Sequence, residues 1–278
     1  FPMSTDEAAP AATTPATTLA AAASAAAAPA AAAPAAAAPA VASPAAAQCG
    51  PDCSLRSSVH TLREAIRVQI FYADYDDEGV WFYQAFNDDI GRHAIQHQTF
   101  TGAPGFNASR MTWIKPGFAW MLYRAGYGEK HCQTSVLKIK LPHAVVVELL
   151  SLCACKHGGG GSKGRVQWDP GRDLYSSEGK GRSIEPRRLL RDRAIQIGLS
   201  RDLSEKYVSS VIAIRDVSDL ARRVGAAHRA KDVASAMADL APLLPAERAY
   251  MPQCPPNELE RLGLSRPQPF PTPTCVGD

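Results

Sequence analysis

Hydrophobic positions change period several times along the middle of the chain. Residues 66–75 and 80–86 are dense in β-branched and aromatic side chains, and the acidic stretch between them, Asp74 to Gly79, ends in glycine. That pattern predicts a β-hairpin. Asn87, Asp88 and Asp89 then supply an N-cap and first-turn acids for a helix reaching about His97, with Ile90, Ala94 and His97 on one face. After a Gly/Pro loop over 101–106, residues 110–115 read as an extended approach to Pro116, which suits the first turn of a helix over 116–125 closed by Gly126. Residues 136–141 alternate, Leu137, Ile139 and Leu141 on one side and Lys138 and Lys140 on the other, the mark of a half-exposed strand. Residues 144–152 are predicted helical.

Beyond a glycine tract the pattern resumes. Residues 165–170 form a short strand, 171–193 a polar, basic excursion, and 194–199 an alternating strand. Ser200 caps a helix to about Ser209, 211–214 is another strand, Ser218 begins a helical segment interrupted by Pro242 and Pro245, and the chain from Pro252 reads as irregular. Strands and helices mix without a glycine-rich nucleotide fingerprint. The expected fold is therefore α+β: one mixed, mainly antiparallel sheet with flanking helices.

Composition changes the picture at the two ends. Most of the first 48 residues are Ala and Pro, and Pro29, Pro34, Pro39 and Pro44 recur every five residues, which interrupts any helix, and the Ala/Pro run offers no large side chain to bury. They are expected to form a disordered tether, followed by a connecting segment over 49–64, a globular domain over 65–225, and a C-terminal helix with a Pro-rich tail over 226–278. Within the domain a Gly-rich insertion falls near 157–164 and a basic loop over 176–193. The Ala-rich start lacks the strong hydrophobicity of a membrane span and the basic, Leu-rich pattern of a secretory signal, so a cytoplasmic location with no membrane partner is expected. Thirty Lys+Arg against 27 Asp+Glu give a formal charge of +3, too small for binding nucleic acid through the overall field. Any cationic site must be local.

Seven cysteines in a chain with no recognised secretory signal read as free thiols. The spacings of Cys49 with Cys53 and of Cys153, Cys155 and His157 are poor matches to zinc motifs, and His93 and His97 lack a third ligand, so no metal site is expected.

The most unusual stretch is 110–124, where Arg110, Lys115 and Arg124 are interleaved with Trp113, Phe118, Trp120 and Tyr123 around Pro116. A surface helix would separate its charged and apolar faces, and a core helix would exclude unpaired cations. Together with Trp120-Met121-Leu122-Tyr123-Arg124, with Val166-Gln167-Trp168-Asp169-Pro170 and its continuation Arg172-Asp173-Leu174, and with Ile195-Gln196-Ile197-Gly198-Leu199-Ser200, this stretch resembles the signature segments of domain-of-unknown-function family 4291 of bacteria and fungi. The likeness covers about 66–224 in order. Gly117 stands where the family pattern has Ser, Tyr127 where it has Trp, and the basic loop is expanded. The resemblance implies a fold unit and, by the family's name, no established activity.

The chemistry has two readings. Arg110, Lys115, Arg124 and Arg172 are suited to a phosphorylated ligand, because Arg forks and a Lys point charge match phosphate oxygens. Alternatively each pairs with a carboxylate such as Asp88, Asp169 or Asp173 and only orients the motif. Trp113 can stack a base, whereas Trp120, Tyr123 and Tyr127, spaced i, i+3, i+7, fit a core stripe. Gln84, Gln167 and Gln196 lie in apolar strands and either converge on one polar site or face solvent. Lys115 and Asp169 are the candidate catalytic residues, and NAD or another nucleotide is the candidate cofactor or ligand. An enzyme-like domain taking a nucleotide or phosphorylated small molecule, loosely similar to ADP-ribosyltransferase-like folds, is the first expectation. A non-catalytic module that docks RNA or a phosphoprotein on the basic loop is the second.

Overall fold

A computed structural model describes residues 68–155 and 163–265. The tether, the connecting segment, Cys49, Cys53, most of the Gly-rich insertion and the last residues of the Pro-rich tail lie outside the described residues. Among the described residues the fold is α+β, with seven helices and mainly antiparallel strands.

Strand β1 (Tyr72–Ala73) precedes β2 (Gly79–Phe86), helix α1 (Asp88–His97), β3 (Thr112–Ile114) and α2 (Phe118–Ala125). Then come β4 (Ser135–Pro142), α3 (His143–Ser151), β5 (Cys153–Cys155) and the long pair β6 (Gly164–Glu178) and β7 (Glu185–Leu199). The chain continues through α4 (Arg201–Ser209), β8 (Ala213–Asp216), α5 (Ser218–His228), α6 (Val233–Ala238), β9 (Arg248–Ala249) and α7 (Pro256–Arg261). The strands form sheets of order β2-β4-β8 and β3-β7-β6-β5, and β1 pairs with β9. Tyr83 of β2 and Lys115 exchange backbone hydrogen bonds of 2.6 and 3.3 Å, which ties the two larger sheets together beside β3. A common core lies on one face of both, with Val80, Phe82, Leu137, Ile139, Ile114, Val166, Ile197 and Leu199 in a single cluster. Pairing in register then sets Lys115, Gln196, Gln167 and Asp169 on the opposite face, because successive side chains alternate across a strand.

Several expectations are corrected. The 66–75 segment is not the partner of β2 beyond a Tyr75–Val80 bridge; β1 pairs with β9 and β2 with β4, because the acidic turn is drawn over the lysines of β4 instead. The Lys138 and Lys140 side of β4 is not half-exposed: both lysines are largely covered by that turn. Pro116 does not begin the helix. Gly117 is the N-cap of α2, and Pro116 precedes it in a bend.

The basic excursion is strand for most of its length. From the Pro170–Arg193 pair to the Arg172–Arg188 pair β6 advances two residues and β7 five, and before Ser177–Pro186 the excess passes to β6. The two bulges cancel in register, and each hides the period-2 pattern that would have marked a strand. Tyr127 is not on the helical stripe, since it follows Gly126 with φ of 59° and packs in a second cluster with Phe118, Leu122 and Val224. The last predicted strand is shifted to β8, and the segment beyond Pro252 contains α7 where irregular chain was expected, since Pro255 and Pro256 open a turn of helix.

Candidate functional site

Lys115 follows the short strand β3, whose Trp113, Ile114 and Thr112 pair with Gly198, Ile197 and Leu199 of β7. The indole of Trp113 lies over its cross-strand partner: a Cβ at Gly198 would fall 2.8 Å from the ring, so glycine is what allows the indole to lie flat there. The carbonyl of Trp113 accepts from Lys115 Nζ at 3.1 Å and from Gln84 Nε2 at 3.2 Å. Lys115 is buried, and among the described residues no carboxylate stands within ion-pair distance of it. Burial pulls its ammonium pKa down to about 7, the Arg124 charge pulls the same way, and Asp169 opposes them.

Asp169 is held from two sides. Gln167 Nε2 donates to one carboxylate oxygen at 2.9 Å and Gln196 Nε2 to the other at 2.5 Å. The two glutamines are cross-strand partners, and Asp169 follows Gln167 by two positions, so the β6–β7 register builds the clamp. A carboxylate with both oxygens fixed by amide donors is oriented, and it retains lone pairs for a ligand hydroxyl or ammonium.

The structure thus brings Lys115, Asp169, Gln167 and Gln196 onto one face, with Arg124 acting on Lys115 through its field. Gln84 lies on the other face. It is buried, and its Oε1 accepts from the fully buried Tyr207 hydroxyl at 2.6 Å, so the three amides do not converge. Arg110 is exposed in the loop before β3. Arg172 makes an ion pair with Glu185 at 2.8 Å and another with Glu178 at 3.4 Å, donates to the Pro186 carbonyl, and stacks 3.6 Å from the Tyr123 ring centroid. Its position is set by the hairpin. Of the carboxylates offered as partners for the cations, Asp88 bonds Thr134 and Ser135, and Asp173 bonds Arg187 and Ser176. His93 and His97 stand with rings 4.4 Å apart, and His93 bonds the Thr101 carbonyl. Among the described residues no group of three or more potential ligands gathers to hold a metal.

One residue escaped sequence reading. Glu247, in the segment before β9, accepts from the Phe118 amide at 2.6 Å and so caps α2 from 129 positions away. Burial raises its carboxyl pKa to about 7, the Phe118 hydrogen bond opposes the rise, Asp74 adds to it and Lys138 offsets it. Beside it opens a cavity of about 260 Å³ whose walls include Pro116, Gly117, Trp120, Arg172 and Ile195. Leu189 and Asp192 of the β7 bulge, and Arg193 that bounds it, line it as well. Nothing local marks a lone Glu between Ala246 and Arg248 as a cap for a distant helix.

No helix among the described residues is long and apolar enough to cross a membrane. Residues 69–250 match the family model described as Domain of unknown function (DUF4291). No curated protein matches the chain.

Proposed function

This chain belongs to the DUF4291 family, and we propose that it is an enzyme-like domain that binds a nucleotide or another phosphorylated ligand on the polar face of β3, β7 and β6. The observation that carries this reading is Lys115: a buried amine with no carboxylate in contact among the described residues, its proton held weakly because burial, and after it the Arg124 charge, oppose the charged form. An uncompensated buried ammonium is costly, and an incoming anion removes the cost. In this role Lys115 is the charge stabiliser, or at neutral pH the base. Asp169, fixed by Gln167 and Gln196, receives a ligand hydroxyl, and the Trp113 indole flanks a ring. Arg124 and the exposed Arg110 are the outer cations, whereas Arg172 holds the hairpin in place and Gln84 supports Trp113 from behind. The order of elements is loosely similar to ADP-ribosyltransferase-like folds, which makes NAD the first nucleotide to try.

Anion binding at Lys115 must raise its pKa, so at pH 8 the complex takes up a proton. Calorimetry of NAD or ATP in two buffers of different ionisation enthalpy measures that uptake directly. Binding accompanied by uptake, both abolished in Lys115→Met, supports the reading; binding with no proton uptake, or binding unchanged in Lys115→Met, refutes it.

A second reading has its own observation. The distal hairpin exposes Lys180, Arg182, Arg188 and Arg191, a cationic ladder suited to an RNA or phosphoprotein backbone. It predicts salt-sensitive binding that is lost when those four residues become Gln and is indifferent to Lys115.

A further inference from the structure

The cavity at the start of α2 has features that Lys115 does not share. Lys115 is absent from its walls, which set Trp120, Pro116 and Ile195 beside the carboxyl groups of Glu247 and Asp192 and the side chains of Arg172 and Arg193. Glu247 spends one oxygen, Oε1, on the Phe118 amide. Its Oε2 has no hydrogen-bond partner among the described residues and is not sealed among the buried unpaired atoms, so it stays reachable from the cavity that Glu247 lines. The cap itself fixes the carboxyl: with Oε1 anchored to the backbone, Oε2 cannot rotate away to bulk water without giving up the helix N-terminus.

The surroundings narrow the ligand. A small chamber with an aromatic wall and a carboxylate oxygen held in place by its helix cap suits a group that donates an N–H and is otherwise flat and apolar. Arg172 and Arg193 in the wall stand against Asp192 and Glu247, and Arg172 is already paired with Glu185 and Glu178, so the wall carries no net charge for an ion to answer and the donor is best carried by a neutral ring. Pockets that take whole drug-sized ligands run from about 300 to 1,000 Å³, so a cavity of about 260 Å³ suits one ring system and not an entire dinucleotide. Gly171 lets β6 close against the bulged segment of β7 in its wall: a Cβ there would lie 2.9 Å from the Asp192 carbonyl oxygen.

We propose that this cavity is a binding site for a planar heterocycle of the nucleobase class, seated along Trp120 with an exocyclic N–H donated to Glu247 Oε2. The base can arrive free, as part of a mononucleotide, or on a single strand of RNA; the chemistry recognised is the same. The site stands independently of Lys115.

The test compares adenosine with purine riboside, which lacks only the exocyclic amine, by calorimetry at pH 8 on the full chain. Adenosine is expected to bind at least about tenfold more tightly, because an anchored acceptor left without a donor is penalised. Glu247→Gln keeps the carbonyl that caps Phe118 but turns an amide donor toward the ligand, and it should erase or invert the preference with a cooperative melt retained. Trp120→Phe, which removes part of the aromatic stacking surface, should weaken adenosine about fivefold. A short oligoadenylate that binds with Glu247-dependent preference where adenosine does not would support the site with RNA as the source. Equal affinity for the two ribosides, no binding of adenosine or the oligonucleotide at millimolar concentration, or an unchanged preference in Glu247→Gln would overturn it. Lys115→Met should leave the adenosine preference intact, so failure of the phosphate reading and failure of this one are told apart.

Discussion

Two buried lysines sit on the same side of the joined sheets and are treated in opposite ways. Lys140 of β4 lies over the Trp81 ring, 5.5 Å from its centroid, and meets Asp76 at 2.7 Å and Glu78 at 2.5 Å. Burial works against its charge, but the hydrogen bonds it donates to the two carboxylates outweigh it and hold its pKa above the ordinary value of 10.5. Lys115, beside β3, has a peptide carbonyl as its hydrogen-bond acceptor and a guanidinium in its field, and its pKa falls to about 7. The acidic turn over residues 74–78 supplies Lys140 with counter-charges, and β6 supplies Lys115 with one carboxylate already engaged by two amides. A lysine whose charge is answered within the fold is part of the scaffold. One whose charge is left unanswered stores unfavourable energy that a ligand can release.

Removing the two lysines should therefore shift stability in opposite directions. The largest effect belongs to Lys115→Met. The unfolded amine stays protonated up to about 10.5 whereas the folded one releases its proton near 7, so the wild-type penalty is greatest below pH 7 and fades as pH rises through that window. Denaturant unfolding should show the variant more stable at pH 7 by about 2–4 kcal/mol, the advantage vanishing near pH 10.5. A variant less stable than the parent at pH 7 would show that the amine is scaffold after all.

Lys140→Met should go the other way and by less. Its carboxylate partners are well exposed, Asp76 at 51% and Glu78 at 77%, so they rehydrate when the lysine leaves, and the loss should be about 1 kcal/mol. Because the folded pKa is raised, this contribution is fully present below the ordinary lysine range and is lost as pH climbs past it. Stability measured from pH 8 to 11 should fall in the parent more steeply than in the variant.

Gln196→Ala probes the clamp that keeps Asp169 from answering Lys115 fully. Loss of one hydrogen bond to the carboxylate should cost about 1 kcal/mol. The freed oxygen can turn to the amine, so the Lys115 pKa, followed by the pH dependence of stability in the Lys115 and Lys115→Met backgrounds, should rise. No change in that dependence would mean that the clamp does not govern the lysine. The smallest effect is expected from Pro116→Ala. Pro116 lies in a bend before the Gly117 cap and outside the helix, so the change should cost under about 1 kcal/mol by thermal melting and leave α2 in place.

The parts of this site that were legible in the sequence are those whose signals are local. Asn87 capping α1 through the Ile90 amide, Gly126 closing α2 in a left-handed conformation, and the alternation of β4 could all be read from a few neighbouring residues. Gln167, Asp169 and Gln196 stood out because an amide or an acid in a strand of Val and Ile demands a partner. Their convergence was open until the β6–β7 register set Gln167 opposite Gln196. Gln84 carried the same local signal and faces the other way, because its strand turns that residue toward Tyr207.

From the amino-acid order alone came the α+β class, most helix and strand positions, the family likeness and the peculiarity of the cationic-aromatic stretch. These depend on periods, caps and turns set by steric and hydrogen-bonding preferences within a few residues. Tertiary structure alone decided which charges are answered. It folded an acidic turn over Lys138 and Lys140, carried Glu247 to the start of α2, compensated one bulge with another in the long hairpin, and left Lys115 buried beside a carboxylate held by glutamines. The electrostatic state of a side chain depends on the groups packed within a few ångströms of it, and here those groups come from segments tens of residues away.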